Sequence, residues 1–386
     1  MTTVAHRPLG GKIVTKPFIF FGLLAAIAAY FVVRRFLFGL DDVTNLSGGY
    51  PWGIWVVVDI MIATAFGCGG FAMALLVYIF NRNRFHPLMR PALLGGLFGY
   101  TLAAAALMVD LGRYWNSYNI LLPWQVNPNS VMFEVAVCMM AYILVLWIEF
   151  SPAFLDRLGL GRLRAWLQRY MFIFIALGVV LPTMHQSSFG SVLLVMGSQL
   201  SPLWYTSWLP LLFLLTALAM GYSVVILEST LVTNAFALPS EQRLLEKLSP
   251  IVAALLAGFL AVRFVDILWR GHADLMLAGG LEGSMFWIET LVFLTAAAIL
   301  GVPVWRRNQR LMFLAALLMV TGGALYRLNA FIIAYDPGNG WSYFPSVGEI
   351  MVTVGVVSVE IMLYLWFVKR LPVLPLAKET TQPSPA

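Results

Sequence analysis

Residues 53–80 read GIWVVVDIMIATAFGCGGFAMALLVYIF, and this stretch decides the fold class. Asp59 is its only charged residue. A helix needs about 20 mostly apolar residues to cross the hydrocarbon core of a bilayer, and this stretch exceeds that length. It therefore predicts a transmembrane helix that carries one acidic side chain.

Similar apolar stretches recur along the whole chain. Of its 386 residues, 61% are apolar and 11% are charged, whereas a soluble domain carries about 25% charged residues. This composition excludes a soluble enzyme, a nucleic-acid binder and a disordered scaffold. We predict an all-α integral membrane protein with about ten transmembrane helices. The predicted spans are 17–38, 53–80, 91–109, 131–150, 170–196, 207–231, 250–268, 284–305, 311–333 and 347–368.

The distribution of Lys and Arg predicts the orientation. Of the 24 basic residues, 18 fall in the tails and in the loops on the same side as the tails, and four fall on the opposite side. Cytoplasmic loops of membrane proteins are enriched in Lys and Arg. We therefore predict a polytopic membrane domain over 17–368, with a cytoplasmic N-terminal tail (1–16) and a cytoplasmic C-terminal tail (369–386).

The cysteines and histidines limit the cofactors that the chain can hold. Cys68 and Cys138 lie in apolar runs without a CxxC or CxxCH pattern, so we predict no iron–sulfur cluster and no covalent haem. A transmembrane b-type haem normally has two histidine ligands. Only His185 of the four histidines falls within a predicted span, so we also predict no b-type haem.

Ionisable residues within the spans are costly and usually have a partner or a function. Arg263 with Asp266, and Asp110 with Arg113, have a spacing of three residues that allows ion pairs within one segment. Glu134 has no basic neighbour at helical spacing, which favours a function for it. Most of these residues fall in the half of the membrane opposite the tails: Asp59, Asp110, Glu134, His185, Arg263, Asp266, Glu289 and Arg327.

The fifth span contains a proline followed by polar residues, from Pro182 to Ser188. An interior proline removes a helical hydrogen bond, and such polar segments are tolerated where protein or water surrounds them. Trp52, Trp55 and Asp59 have spacings that predict one shared helical face. Together these side chains offer a flat apolar slot, hydrogen-bond donors and carboxyl groups. This chemistry suits a lipid quinone, whose reduction consumes two protons.

Several motifs resemble those of the polysulfide reductase NrfD-like family. They are GGYPWG (48–53), GCGG (67–70), FHPLMRP (85–91), DLGRYW (110–115), NSVMFE (129–134) and MHQSS (184–188). The similarity extends from about residue 8 to residue 375, nearly the whole chain. Within the family, the motifs look like those of the membrane subunits of respiratory [NiFe] hydrogenases.

The resemblance implies a specific architecture and function. We expect two four-helix bundles (about 53–196 and 207–333) flanked by helices 17–38 and 347–368. We expect a multi-pass subunit of a bacterial inner membrane that passes electrons to menaquinone or ubiquinone. The expected partners are a periplasmic ferredoxin-like iron–sulfur subunit and the large and small hydrogenase subunits, docked on the periplasmic face.

The candidate residues have three predicted roles. We expect quinone binding by His185, Gln186, Asp59, Trp55, Asp110 and Arg113. We expect a proton relay through Glu134, Asp266 and Glu289, and structural ion pairs at Arg263 and Arg327. We expect no metal site in the chain.

Alternative functions fit the same sequence. The same anchor could serve a molybdenum oxidoreductase or a multihaem cytochrome. Ten spans with buried charges and broken helices also suit a secondary transporter, and a passive membrane anchor is a third alternative.

Overall fold

The computed structural model describes residues 7–374, and ten long apolar helices account for most of them. We number these helices α1 to α10 in chain order. Their bounds are α1 Lys16–Phe38, α2 Trp55–Ile79, α3 Asn83–Asp110, α4 Val131–Leu158, α5 Gly161–Gln199, α6 Leu209–Ala235, α7 Gln242–Trp269, α8 Gly280–Gly301, α9 Gln309–Ile333 and α10 Val347–Arg370. Within residues 7–374 there is no β-strand, although one isolated bridge joins Leu200 to Tyr335. The predicted all-α membrane fold with ten spans is confirmed.

The helices pack as two groups of four with a pair at the side. Helices α2 to α5 pack on one another, and so do α6 to α9. Helix α6 joins the groups because it contacts both α2 and α5, and α9 packs on the first turns of α2. Helices α1 and α10 pack on each other and against α2 and α3. This arrangement agrees with two four-helix bundles, and it adds that the two flanking helices form a pair.

Ten crossings place the first and last helical ends on the same face of the molecule. We call this the termini face, and we call the opposite one the distal face. The distal face is formed by the segments 39–54, 111–130, 200–208, 270–279 and 334–346. The segment 111–130 contains a 3₁₀ helix over Tyr114–Leu121.

Helix α2 is the central helix of the molecule. In its most apolar 18-residue window, 83% of the residues are buried, compared with 6% in α1 and 11% in α5. The outward-facing apolar side chains of α1 and α5 are suited to lipid. Asp59, the acidic residue of α2, is therefore surrounded by protein. Its carboxyl group needs polar neighbours within the protein, because a buried ionisable group without a partner is costly.

Helix α2 is irregular along its length. Its residues Trp55–Ile62 and Leu75–Ile79 are π-helical, and the chain is interrupted at Gly67 and Cys68 between two short α-helical segments. A Cβ atom on Gly67 would lie 2.9 Å from the ring of Tyr100, and one on Gly96 would lie 2.6 Å from the carbonyl oxygen of Gly67. These glycines allow α2 and α3 to approach closely enough to bring Tyr100 against α2.

Several helices are longer than the predicted spans. Helix α4 continues to Leu158 and α5 begins at Gly161, whereas the predictions ended at 150 and began at 170. The added residues carry charges, and a prediction based on continuous apolar character stops at the first charged turn. Asp156 and Arg164 in these extensions pair with each other, so both helices continue beyond the apolar region.

Candidate functional sites

A fully buried polar network lies where the two bundles meet. The Tyr100 hydroxyl lies 2.8 Å from Nε2 of His185. The Gln186 amide nitrogen donates to Thr64 Oγ1 at 3.1 Å and to the Tyr100 hydroxyl at 3.3 Å. Arg327 donates to Gln186 Oε1 at 3.5 Å from the second bundle. We call Thr64, Tyr100, His185, Gln186 and Arg327 the central network.

The side chains of the central network bind one another. His185, Gln186 and Arg327 each have no exposed surface. The second ring nitrogen of His185 lies 3.1 Å from the Leu181 carbonyl oxygen, one turn earlier on the same helix. For His185 or Gln186 to touch a quinone headgroup, these bonds would have to be exchanged for bonds to the quinone.

Asp59 and Trp55, two residues predicted to bind quinone, lie together in a second polar site towards the distal face. Asp59 on α2 is 2% exposed and accepts a hydrogen bond from Thr353 on α10 at 3.1 Å. The Trp55 indole nitrogen donates to the carbonyl oxygen of Glu349, one turn earlier on α10, at 3.0 Å. Trp55 and Asp59 therefore share a face, as predicted. Trp52 does not share it, because its indole donates to Phe331 on α9.

The second polar site also includes Asp110, the last residue of α3. Its Oδ1 atom is buried and has no hydrogen-bond partner among the described residues. Arg35 of α1 donates to the carbonyl oxygens of Val109 and Leu111, at 2.5 Å each, on both sides of Asp110. Helix α3 packs on the first turns of α2 and on α10, so Asp110 lies at the same end of the molecule as Asp59 and Glu349. We call Asp59, Asp110 and Glu349 the distal acidic cluster.

Glu349 is the most firmly held member of the distal acidic cluster. Ser346 and Glu349 form a capping box at the start of α10. Glu349 also accepts from the Tyr343 hydroxyl at 2.5 Å and from the backbone nitrogen of Asn45 at 3.0 Å. Burial, together with the hydrogen bond to the Glu349 carboxylate, raises the pKa of Tyr343. Tyr343 therefore stays a neutral donor at physiological pH.

Glu289 lies in a third place, inside the second bundle. It is fully buried and forms an ion pair with Arg263. It also accepts from Asn329 at 2.8 Å and from the Trp204 indole at 3.3 Å. Arg263 is 3% exposed, so this is a buried pair that bridges α7 and α8.

The structure does not contain the predicted ion pair of Arg263 with Asp266 or an ion pair at Arg327 among the described residues. Asp266 pairs with Arg270 at 2.7 Å, not with Arg263, because Arg263 points to Glu289 on the neighbouring helix. Arg327 has no carboxylate within ion-pair distance in the described part of the chain. Its guanidinium contacts Thr216, Met220 and the Gly323 carbonyl oxygen, and its Nε atom is buried without a partner among residues 7–374. The prediction of an ion pair at Arg327 is therefore wrong.

The two remaining candidates, Glu134 and Arg113, are members of none of these groups. Glu134, early in α4, accepts a hydrogen bond from Ser188 of α5 at 2.9 Å. Ser188 is three residues beyond His185, so Glu134 is adjacent to the central network. Arg113 is exposed at the distal face immediately before the 3₁₀ helix, and it does not pair with Asp110.

The histidine geometry does not fit a bis-histidine b-type haem. Both ring nitrogens of His185 are engaged, by Tyr100 and by a backbone carbonyl oxygen. No second histidine of the described residues lies in the core of a helix bundle, since His86 and His272 are near the helix ends. No metal-binding group of three or more His, Cys, Asp or Glu side chains occurs between residues 7 and 374.

The prediction from sequence missed several residues of these sites. Glu349 had a recognisable signal, because Ser346 and Glu349 have the capping-box spacing before an apolar run. Tyr100 and Thr64 had none, since isolated polar residues in an apolar helix are common. Their roles depend on the close approach of α2, α3 and α5.

The fold and these sites define a class of protein: a polytopic helical membrane protein with buried polar groups between its bundles. Residues 42–335 match the family model "Polysulphide reductase, NrfD". This match covers more than half of the chain, so the chain belongs to the NrfD family.

Relatives in redox complexes agree with this assignment. The chain is 44% identical to the "Probable Ni/Fe-hydrogenase 2 b-type cytochrome subunit" of Escherichia coli, over 97% of this chain and 96% of that protein. It is 28% identical to the "Menaquinone reductase, integral membrane subunit" of Nitratidesulfovibrio vulgaris, over 93% of this chain and 90% of that protein. It is 22% identical to a selenate reductase subunit of Mesobacillus selenatarsenatis, over 94% of this chain and 96% of that protein. The chain is therefore a membrane-integral NrfD-type subunit of an oxidoreductase complex.

Proposed function

We propose that this chain is the quinone-reactive membrane subunit of a respiratory [NiFe] hydrogenase in a bacterial inner membrane. In this proposal, electrons from a periplasmic iron–sulfur subunit, supplied by the large and small hydrogenase subunits, reduce menaquinone or ubiquinone. The name of the Escherichia coli relative supports the hydrogenase, and the name of the menaquinone reductase relative supports a quinone substrate.

The observation that carries the quinone site is the buried, unpartnered Oδ1 atom of Asp110, at the same end of the molecule as Asp59. A buried polar atom without a partner is costly and suggests a missing ligand. Asp110 is partly exposed at the end of α3, and Asp59 lies on α2, which packs on α3. The two carboxyl groups can deliver protons to a quinone bound there as its oxygens accept electrons. We therefore propose that the headgroup binds beside Asp59 and Asp110, with Trp55 as a wall and Arg113 at the entrance.

We propose different roles for the other acidic residues. Glu134 accepts a hydrogen bond from Ser188, one turn beyond His185, and has no basic partner in the described chain, which supports a role in proton relay. Glu289 and Asp266 are paired with Arg263 and Arg270. These pairings favour a structural role for both acids over the relay that the sequence suggested.

The distal face offers a surface for the electron-donating partner. Large apolar side chains are exposed there, including Trp124 (75% exposed), Trp269 (89%) and Phe344 (78%). Exposed aromatic residues near a membrane surface mark either the lipid interface or a protein contact. Because the chain carries no cluster-forming cysteine series, electrons must enter from outside it. We propose that they enter at this face, which we assign to the periplasm from the distribution of Lys and Arg.

The proposal predicts a loss of quinone reduction when Asp110 is replaced by Asn. Asparagine keeps the shape of the side chain but cannot deliver a proton. Hydrogen-dependent reduction of a soluble quinone analogue by the purified complex should fall about 100-fold, in the range of losses for a missing general acid. Glu134→Gln should also lower this rate, because it interrupts the proposed relay. Hydrogen oxidation with an artificial dye that accepts electrons from the hydrogenase subunits should be unaffected.

Asp274→Asn is the matched control. Asp274 is exposed at the distal face, and its side chain makes no hydrogen bond to the described residues. This variant should retain the full rate of quinone reduction. An Asp110→Asn complex that assembles and reduces the analogue at the unaltered rate would contradict the proposed site.

The redox enzyme that this chain serves has a second candidate, a molybdenum oxidoreductase. The name of the selenate reductase relative supports a membrane subunit that serves a different redox enzyme. Purification of the complex followed by a metal assay decides between them, because nickel with iron indicates a hydrogenase and molybdenum indicates the alternative. Uptake of a polar solute by the isolated chain would instead indicate a transporter.

A further inference from the structure

A cavity at the termini face lies outside the sites described above. It has a volume of about 190 Å³ and is enclosed by the ends of α2, α3, α4 and α5. Its rim carries three basic side chains, His86, Arg90 and Arg164. The deeper walls include the apolar side chains of Ala74, Leu93, Met171 and Ile175 and one carboxyl group, that of Glu149. The cavity is therefore basic at its mouth, with apolar side chains and one carboxyl group towards the membrane core.

The two arginines at the rim have donors to spare. Both contact the same carboxylate: Arg164 is hydrogen-bonded to Asp156, and Arg90 lies 3.7 Å from it. Arg90 also donates to the Pro372 carbonyl oxygen at 2.9 Å. The Nε atom of Arg164 is buried and has no partner among the described residues. A guanidinium group has five N–H donors, so one shared carboxylate leaves most of them available.

The spare donors suit a phosphate group. Guanidinium groups bind phosphate oxygens through strong charge-assisted hydrogen bonds, and basic pockets between transmembrane helices bind anionic lipid headgroups. At the rim, two arginines face one aspartate, and the other acidic residue of the cavity, Glu149, lies about 10 Å deeper, so the rim favours a ligand group with negative charge. A zwitterionic headgroup would also require a partner for its cation, and Asp156 is already engaged.

The lower part of the cavity distinguishes a lipid from free phosphate. Apolar side chains below the rim suit acyl chains, whereas inorganic phosphate has no group to place there. Glu149 lies seven residues before Asp156 on α4, so it is about 10 Å deeper. Glu149 is therefore an acidic side chain of the deeper wall, well below the rim.

We propose that this cavity binds one anionic phospholipid, with its phosphate held by Arg90 and Arg164 and its acyl chains against Leu93, Met171 and Ile175. The site is independent of the proposed quinone chemistry, which lies at the opposite face. It would attach the first bundle to the lipid leaflet at the termini face.

The test is native mass spectrometry of the full chain purified in a mild detergent. The protein is incubated with phosphatidylglycerol or with phosphatidylcholine of identical acyl chains. We expect one phosphatidylglycerol to be retained under conditions that remove phosphatidylcholine. The double variant Arg90→Gln with Arg164→Gln should retain about tenfold less, because it loses the charge-assisted bonds. The matched control, Arg162→Gln with Arg169→Gln, removes the same charge from exposed residues near the same end of α5 and should retain the lipid.

A second variant keeps the test valid if the double variant fails to fold. Asp156→Asn leaves both arginines in place and removes their carboxylate, so it should increase phosphatidylglycerol retention. Equal retention of the two lipids by the wild-type chain, or a loss with Asp156→Asn, would overturn the proposal. Displacement of the lipid by millimolar inorganic phosphate would show a phosphate site without lipid specificity and would also overturn it.

Discussion

At the scale of single residues, His185 shows how a ligand-like side chain can be a structural one. Its sequence context, after an interior proline and among polar residues, resembles a binding site. In the structure its ring is enclosed by Tyr100, Gln186 and the Leu181 carbonyl oxygen. A buried group with every polar atom satisfied stabilises the packing around it.

His185→Ala is therefore expected to destabilise the protein. The substitution leaves the Tyr100 hydroxyl and the Gln186 amide with fewer partners, which costs roughly 1–3 kcal/mol for each buried group left unsatisfied. Thermal unfolding of the detergent-purified chain should show a clearly lower midpoint. Ser187→Ala is the control, because the Ser187 hydroxyl bonds only the Met184 carbonyl oxygen of its own helix. An unchanged midpoint together with a higher KM for the quinone would instead show that His185 binds the headgroup directly.

At the scale of helices, glycine positions decide which pairs pack closely. Helices α1 and α10 touch at Gly355, where an added Cβ atom would overlap the Cβ atom of Ala28. Small residues at such contacts allow two backbones to approach, and in a membrane this packing is a main source of helix association. The closest approach of the two helices is therefore at Ala28 and Gly355.

Gly355→Leu is expected to separate α1 from α10. Overpacking at a tight contact costs typically about 1–3 kcal/mol, so the unfolding midpoint should fall. Gly258→Leu in α7 is the matched control, because nothing lies within 4 Å of an added Cβ atom there. If both variants unfold at the same temperature, the contact between α1 and α10 does not contribute to stability.

At the scale of the whole molecule, the orientation in the membrane can be tested directly. Single cysteines are introduced at Ser240 and Asp274, which are exposed at the termini face and the distal face. The native Cys68 and Cys138 are buried and should not react. A membrane-impermeant maleimide added to spheroplasts should label Asp274→Cys, and it should label Ser240→Cys only after lysis. The reverse pattern would contradict the assignment of the termini face to the cytoplasm.

The distribution of polar groups over the whole molecule differs from the single site that the sequence suggested. The central network, the distal acidic cluster and the pair of Arg263 with Glu289 are three separate sites, and each joins a different combination of helices. The proposed quinone chemistry is therefore assigned to the distal acidic cluster. The central network lies at the contact between bundles, where it holds α2, α3, α5 and α9 together.

The sequence by itself determined the membrane class, the ten helices and the family. These features depend on apolar length and on local motifs, which act within one segment of the chain. It also located the ionisable residues by depth, because depth follows from position along a helix.

Only the tertiary structure decided which of those residues meet. Arg263 binds Glu289 and not Asp266, Asp59 meets Thr353 of α10, and Gln186 meets Arg327 across the two bundles. Each of these contacts joins residues that are distant in sequence, and each depends on the rotation and close approach of packed helices. Helical spacing predicts neighbours on the same helix, but in a membrane a buried charge binds whichever polar group the packing brings to it.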